Sequence, residues 1–332
     1  MIQIILSQAG GYQDVVAYLQ QQGASVCNMG PERGRGSSFR GKLSILGAMV
    51  SPKLWGVRKL WNKDSQHAVV LLIGWQALPI LAMIRCGLVR RPRKLLVMAC
   101  FVHSMRARRC INLVWRALRF PGMGFIAFSK GEGENLIREV GMAAQDVHFH
   151  LWRQELYGFG GASAAVEGDY VFAGGYSNRD YDLLLQAMAG VDAPLVVVAA
   201  ERNHVVVPAQ ARVSLQLDLP EAQFESLLAA SRVVAMPLKS QGEACGQSVL
   251  LRVLRNRKPL VATRHEAIEA YLGSDYPGFV PHDDVDAMRA TLQRAIADDA
   301  FRQLLGEAIE QAEHRLAKSG SPGEEIHRFL LL

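Results

Sequence analysis

Two glycine-rich turns in the chain have the composition of phosphate-binding loops. Gly10-Gly11 lies between a short apolar run and a helical pattern, and Gly174-Gly175 lies between a strand pattern and a helix, with Arg179 close behind. Glycine lets backbone N–H groups approach an anion, and the positive end of the following helix dipole favours negative charge. Arginine adds a fixed cation that can neutralise a diphosphate. Both turns are therefore predicted to bind phosphate groups.

Alternating strand and helix patterns would position these turns. Apolar, β-rich runs recur along the chain, and most are followed by helical periodicity. We predict strands at residues 2–6, 24–28, 69–73, 95–101 and 124–129, and again at 170–173, 195–199, 213–216, 233–236, 260–262 and 279–280. Such alternation predicts two α/β domains, each with a parallel sheet that carries helices on both faces. An irregular stretch with several glycines, residues 152–168, is predicted to separate them.

One apolar stretch, residues 68–88, has the length of a membrane span. Gly74, Gln76 and Pro79 interrupt it, so a strand, a turn and a helix are the preferred interpretation. The opening residues show no basic n-region and no cleavage site of a signal peptide. The five cysteines are scattered without metal-ligand spacing, which is typical of reduced thiols. We therefore expect a cytoplasmic protein without a metal site.

Basic residues are concentrated in the first half of the chain. Between Arg33 and Lys130 there are nineteen Lys or Arg residues and a single acid, Asp64, whereas eighteen basic and twenty-eight acidic residues follow. Trp and Leu residues are interleaved with these cations. A purely solvated surface is the weaker interpretation of so one-sided a run. The pattern favours an anionic partner, either lipid headgroups or nucleic acid.

The second half resembles glycosyltransferase family 4. The strand before Gly174, the cation Arg179 and the following Leu-Leu-Leu-Gln-Ala are similar to the loop that opens the family's donor domain. The family usually has an arginine just after the first glycine and a lysine further on. Gly175 stands at or next to the arginine position, whereas Arg179 matches the lysine.

A second motif resembles the family's signature of a proline, two glutamates eight residues apart and a Gly-x-Pro-Val-Val-Ala run. It begins at Pro237 and ends with Lys258-Pro-Leu-Val-Ala. The resemblance implies that Glu243 contacts the donor sugar. The second glutamate, which holds the nucleotide ribose in the family, would fall at Leu251 or Arg252, and neither is acidic.

The helix that follows Glu243 is expected to contribute its N-terminus to the donor site. It is predicted to begin at Gln247-Ser248, directly after Gly246, and Gln247 is a polar candidate to face the donor in place of the missing carboxylate. His103 follows a strand that resembles the one ending in a family histidine near the donor sugar. His103 or Asp14 would serve as general base in an inverting enzyme, whereas a retaining one would need no such base.

The resemblance implies the GT-B fold, with two Rossmann-like domains facing across a cleft. Residues 1–155 would bind the acceptor, residues 165–315 the nucleotide-sugar, and residues 316–332 would form a helix packing back on the first domain. Since the acceptor belongs to the basic half, lipid is favoured over nucleic acid as the anionic partner.

The expected function is therefore transfer of a sugar from a nucleoside-diphosphate sugar to a membrane-held, polyprenyl-pyrophosphate-linked glycan in exopolysaccharide or surface glycan assembly. The enzyme would lie peripherally on the inner face of the plasma membrane and would need no cofactor beyond its donor. Two alternatives stay open. One is a nucleotide-sugar epimerase or phosphorylase on the same fold. The other is a non-catalytic partner subunit, suggested by the missing second glutamate.

Overall fold

The structure, a computed structural model, describes residues 2–6, 13–28, 68–72, 77–98, 105–151, 168–209, 211–239, 245–319 and 322–331. These residues form two compact units. The first unit contains the described residues up to His150 together with the last helix, and the second runs from Leu151 to Ser319.

The first unit is built on a parallel sheet with the strand order β2-β1-β3-β4-β5-β6. Its strands are β1 (Ile2–Leu6), β2 (Ser25–Asn28), β3 (Ala68–Leu72), β4 (Lys94–Met98), β5 (Met123–Ala127) and β6 (Val147–Phe149). Its helices include α1 (Gln13–Gln21), α2 (Ala77–Arg85), α3 (Met105–Leu118) and α4 (Lys130–Asn135). The predicted strands are confirmed, and β6 was missed because so short a strand with a histidine at its centre makes no apolar run.

The apolar stretch at residues 68–88 forms β3 and α2, which confirms the prediction of a strand followed by a helix. Pro79 is tolerated because it lies in the first turn of α2, where its missing N–H has no intrahelical partner to lose. Val69, Ile80 and Leu95 are fully buried in a core that Trp115 and Phe125 complete, their rings 5.0 Å apart and edge to face. No helix among the described residues is long and apolar enough to cross a membrane.

The second unit has a parallel sheet with the strand order β12-β11-β10-β7-β8-β9. Its strands are β7 (Val171–Gly174), β8 (Leu195–Ala199), β9 (Val213–Leu217), β10 (Val233–Met236), β11 (Leu260–Thr263) and β12 (Phe279–Val280). All six were predicted. The central strands β7, β10 and β11 are buried along their whole length, which explains why each is a continuous apolar run in the sequence.

Helices connect these strands, and short polar side chains begin several of them. The helices are α5 (Tyr181–Met188), α6 (Glu221–Ala230), α7 (Gln247–Asn256), α8 (Glu266–Leu272), α9 (Val285–Ala297) and α10 (Asp299–Lys318). The carboxylates of Asp180, Asp284 and Asp298 each accept the backbone N–H three residues later, at 2.8–3.1 Å. These bonds satisfy N–H groups that have no intrahelical partner.

The last helix, α11 (Pro322–Leu331), packs in the first unit on α1, β3 and β4. Its Glu325 carboxylate faces two buried imidazoles, with Oε1 3.3 Å from His148 Nδ1 and Oε2 3.8 Å from His150 Nδ1. Phe329 of the same helix lies edge-on to His148, with ring centroids 4.6 Å apart. Polar and aromatic contacts thus join the end of the chain to β6.

Candidate functional site

The strand order of the second unit reverses between β7 and β10, which lie side by side although two strands separate them in the chain. In open parallel sheets, ligands bind outside the carboxyl ends of the strands at such a reversal. Here the loops after β7 and β10 are joined by backbone hydrogen bonds. The Asp180 N–H donates to Pro237 O at 3.1 Å, and the Lys239 N–H donates to Asn178 O at 3.3 Å. The two predicted motifs therefore form one wall of a site.

Arg179 lies inside this wall, folded back over the glycine turn. Its Nε donates to Gly174 O at 3.1 Å and its Nη1 donates to Ser177 O at 2.8 Å. Gly175 has a φ of +136°, and a Cβ there would come within 2.6 Å of Arg179 Nε and Nη2. A side chain at position 175 is thus incompatible with the observed guanidinium position. The observed guanidinium position thus requires a glycine at position 175, which stands at or next to the arginine of the family that the sequence resembles.

The Arg179 charge is buried, since only 6% of the residue is exposed. Burial lowers the pKa of the guanidinium, while Tyr181 and Cys245 act in the opposite direction. Among the described residues no carboxylate forms a salt bridge with it. The Tyr181 hydroxyl fixes the turn beneath it by donating to Gly175 O at 2.7 Å and Val198 O at 3.1 Å. The result is a hydrogen-bonded loop that holds a cation lacking a carboxylate partner among those residues.

A buried thiol joins three loops at this edge. Cys245 Sγ lies 3.1 Å from the donor Asn178 Nδ2 and 3.3 Å from His265 Nε2. His265 Nδ1 accepts the Ala267 N–H at 3.1 Å, so this nitrogen carries no proton and Nε2 carries it in the neutral ring. His265 therefore donates to the sulfur. This arrangement connects the loops after β7, β10 and β11.

Helix α7 begins two residues after Cys245, at Gln247, and directs its N-terminus to the same edge. Gly246 precedes it with a φ of +82°, and a Cβ there would lie 2.8 Å from Ile268 Cδ1. Gln247 and Ser248 are the first two residues of the helix, where backbone N–H groups and the helix dipole favour an anion. Gln247 is buried rather than open to solvent.

The helix also carries Arg252, one of the two positions where the family's second glutamate would fall. Its guanidinium is buried between helices α7 and α6, where Nη1 donates to Glu225 Oε2 at 2.9 Å and Nη2 bonds to Glu221 Oε2. The charge at this position is thus opposite to the family's, and two carboxylates of the neighbouring helix face it.

Several predicted site residues lie outside the described residues, namely Gly10, Gly11, His103 and Glu243. Asp14 is the second residue of α1. The structure brings together Gly174, Gly175, Arg179, Gly246, Gln247 and Ser248 at the edge where β7 and β10 meet.

Sequence reasoning missed Asn178, Cys245 and His265 as members of the site. The available signal was their position: each stands in the connection after a buried strand of the second sheet, where ligands of parallel sheets bind. Their contact depends on the order of the strands, which the sequence pattern does not give.

Comparison with known proteins gives a fold but no family assignment. No protein-family model and no curated protein sequence matches the chain. Among solved structures, it is similar to sucrose-phosphate synthase from Thermosynechococcus elongatus, with 14% identity, a TM-score of 0.65 and coverage of 98% of this chain and 97% of that one. It is also similar to Anabaena HepE, solved with UDP and glucose, with 15% identity, a TM-score of 0.66 and coverage of 99% of this chain and 97% of that one. Trehalose 6-phosphate synthase from Burkholderia multivorans is similar too, with 12% identity, a TM-score of 0.67 and coverage of 99% of this chain and 96% of that one.

These similarities extend over nearly the full length of all three structures. The chain therefore has the fold of GT-B glycosyltransferases, an α/β architecture with two Rossmann-like domains. The predicted fold class is confirmed.

Proposed function

We propose that this chain is a glycosyltransferase that binds a nucleoside-diphosphate sugar at the carboxyl edge of its second sheet. The supporting observation is the Arg179 guanidinium, which is buried and lacks a carboxylate partner among the described residues. A buried charge is costly unless it is paired, and a bound diphosphate would supply the missing anion. Because the similar HepE structure holds UDP and glucose, a UDP-sugar is the first donor to test.

In the proposed reaction, the bond between the anomeric carbon of the sugar and the β-phosphate oxygen breaks. A new bond forms from that carbon to an acceptor hydroxyl, which loses its proton, and the nucleoside diphosphate leaves with the electron pair. Negative charge grows on the leaving diphosphate, where Arg179 and the N-terminus of α7 would stabilise it. No metal or other cofactor is then required. Glu243 remains the candidate contact to the sugar, and His103 or Asp14 the candidate base.

Nucleotide titration tests the donor site. Arg179→Ala should weaken UDP binding roughly 10- to 150-fold, since a hydrogen bond to a charged group contributes about 1.5–3 kcal/mol. Arg212→Ala is the matched control, because Arg212 precedes β9 at the amino edge of the same sheet and pairs with Asp192 at 2.9 Å. The control should bind UDP like the parent protein. Unchanged UDP affinity in a folded Arg179→Ala variant would remove Arg179 from the site.

We further propose that the first unit binds a lipid-linked glycan acceptor at an anionic membrane surface, on the cytoplasmic side. One face of α3 supports this, because Arg109, Leu113 and Arg116 follow one another at helical spacing and are all exposed. Leu113 is 67% exposed and Val114 beside it is 40% exposed. Cations flanking exposed aliphatic side chains suit a surface that lies on acidic lipid headgroups.

Vesicle sedimentation tests this surface. The protein should bind vesicles containing phosphatidylglycerol, bind phosphatidylcholine vesicles poorly, and be released as salt is raised, because exposed charges are screened over about 10 Å at 0.1 M salt. Replacing both Arg109 and Arg116 with Gln should weaken sedimentation without altering UDP affinity. Equal binding to both kinds of vesicle would contradict the electrostatic explanation, and binding to neither would indicate a soluble acceptor.

A non-catalytic partner subunit is the second candidate, favoured by Arg252 at one of the two positions where the family's second glutamate would fall. Product analysis separates the possibilities. A transferase should release UDP from its UDP-sugar only when an acceptor is present. An epimerase would convert the UDP-sugar without acceptor, and a non-catalytic subunit would bind nucleotide without turnover.

A further inference from the structure

Arg252, Glu221 and Glu225 form a charged cluster between helices α7 and α6. Arg252 is 4% exposed and contacts both glutamates. Glu225 is buried and its two oxygens are occupied, Oε2 by Arg252 at 2.9 Å and Oε1 by Asn256 Nδ2 at 2.7 Å. Glu225 thus balances the arginine charge. The Glu221 side chain, by contrast, is 50% exposed, so its carboxylate is both held by a buried arginine and open to solvent.

This cluster lies at the same edge of the sheet as the Arg179 loop. Glu221 is the first residue of α6, which follows the carboxyl end of β9. One turn further, the Phe224 ring lies 4.8 Å below the Arg252 guanidinium and packs directly against Gly174, where a Cβ would come within 2.5 Å of it. The Tyr176 ring is 6.1 Å from Phe224. A continuous row of side chains therefore leads from the glycine turn to the Glu221 carboxylate.

We propose that Glu221 binds the ribose hydroxyls of the nucleotide, with Arg252 as the positioning residue that fixes the carboxylate. This inference rests on the proposed function. A carboxylate offers two acceptor oxygens, which suits the two adjacent hydroxyls of a ribose, and acidic residues bind ribose in other doubly wound sheets. Its negative charge would repel the diphosphate, so the nucleoside end must face it while the diphosphate lies toward Arg179. The carboxylate missing from α7 is thus supplied by α6.

Deoxynucleotides provide the test, because they remove the proposed hydroxyl partners one at a time. The parent protein should bind UDP at least about tenfold more tightly than 2′-deoxy-UDP or 3′-deoxy-UDP in calorimetric titrations. Glu221→Gln should weaken UDP binding by a similar factor and should bind all three nucleotides about equally. Glu307→Gln, an exposed glutamate of α10, is the matched control and should keep the parent preference.

Arg252→Lys tests the positioning role. Lysine keeps the charge but lacks the planar fork that holds two carboxylates, so the variant should lose UDP affinity with little change in deoxynucleotide affinity. A general loss of structure would weaken the binding of UDP, 2′-deoxy-UDP and 3′-deoxy-UDP equally. If the parent protein binds UDP but Glu221→Gln retains the preference for ribose hydroxyls, the assignment of Glu221 is wrong and the donor site stands. If the parent protein binds no nucleotide, the proposed function itself is wrong.

Discussion

Replacing Gly175 with alanine should displace the Arg179 guanidinium from the glycine turn. The new Cβ would lie 2.6 Å from Nε and Nη2 and 2.7 Å from Cζ. Comfortable contact requires about 3.5 Å, so the guanidinium must retreat by roughly 0.9 Å. A shift of that size stretches its bonds to Gly174 O and Ser177 O, now 3.1 and 2.8 Å, beyond hydrogen-bonding distance.

Two costs follow from this displacement. Alanine at a φ of +136° strains the backbone by about 1–3 kcal/mol. Loss of the arginine hydrogen bonds adds on the order of 1.5 kcal/mol. The free energy of unfolding in urea should therefore fall by about 3 kcal/mol, and UDP affinity should fall by at least about tenfold because the cation has moved.

Two further variants separate the causes. Gly273→Ala has a φ of +86° with no atom within 4 Å of the new Cβ, so it reports the backbone cost alone. In an Arg179→Ala background the clash disappears, and adding Gly175→Ala should lower the free energy of unfolding only by that backbone cost. The destabilisation caused by Gly175→Ala should be about 1 kcal/mol or more larger in the parent protein than in the Arg179→Ala background. Additive effects, or unchanged UDP affinity in Gly175→Ala, would refute the idea that this glycine exists to accommodate the guanidinium.

Three more outcomes are expected. Gly246→Ala should weaken UDP binding by at least about tenfold in calorimetry, because its Cβ would collide with Ile268 at 2.8 Å and shift the start of α7. Tyr181→Phe should lower the free energy of unfolding in urea by about 1–3 kcal/mol, since the carbonyl of Gly175 loses the hydroxyl donor and that of Val198 keeps only the Gly175 N–H. Burial lowers the pKa of His150 below its usual 6.5, so the unfolded state binds more protons and stability should fall as pH drops below 6.5. Amide exchange in β6 and α11 should accelerate below pH 6.5, and His150→Gln should reduce this dependence of stability on pH.

The fold class was readable from the sequence because every strand except β6 carries its own signal. The central strands of the second sheet are buried on both faces, so 233–236 and 260–262 appear as uninterrupted apolar runs. The aspartates at helix starts, such as Asp298 before α10, act within three residues of their partners. By contrast β6 is short and carries a histidine at its centre, and that histidine is covered by α11 from the far end of the chain.

The candidate site likewise has parts that local sequence predicts and parts that depend on long-range contacts. By itself the sequence determined the glycine turn with Arg179 and the helix that begins at Gln247. In the first case a glycine pair, a cation and a helix start lie close together along the chain, and in the second a glycine directly precedes the helix. Only the tertiary structure decided that Arg179 folds over Gly175 and that Cys245 receives a hydrogen bond from His265. It also decided that Arg252 is balanced by Glu225 of another helix. These contacts join residues on separate strands and helices, and the energy that selects them arises from burial and charge pairing once the strand order has brought them together.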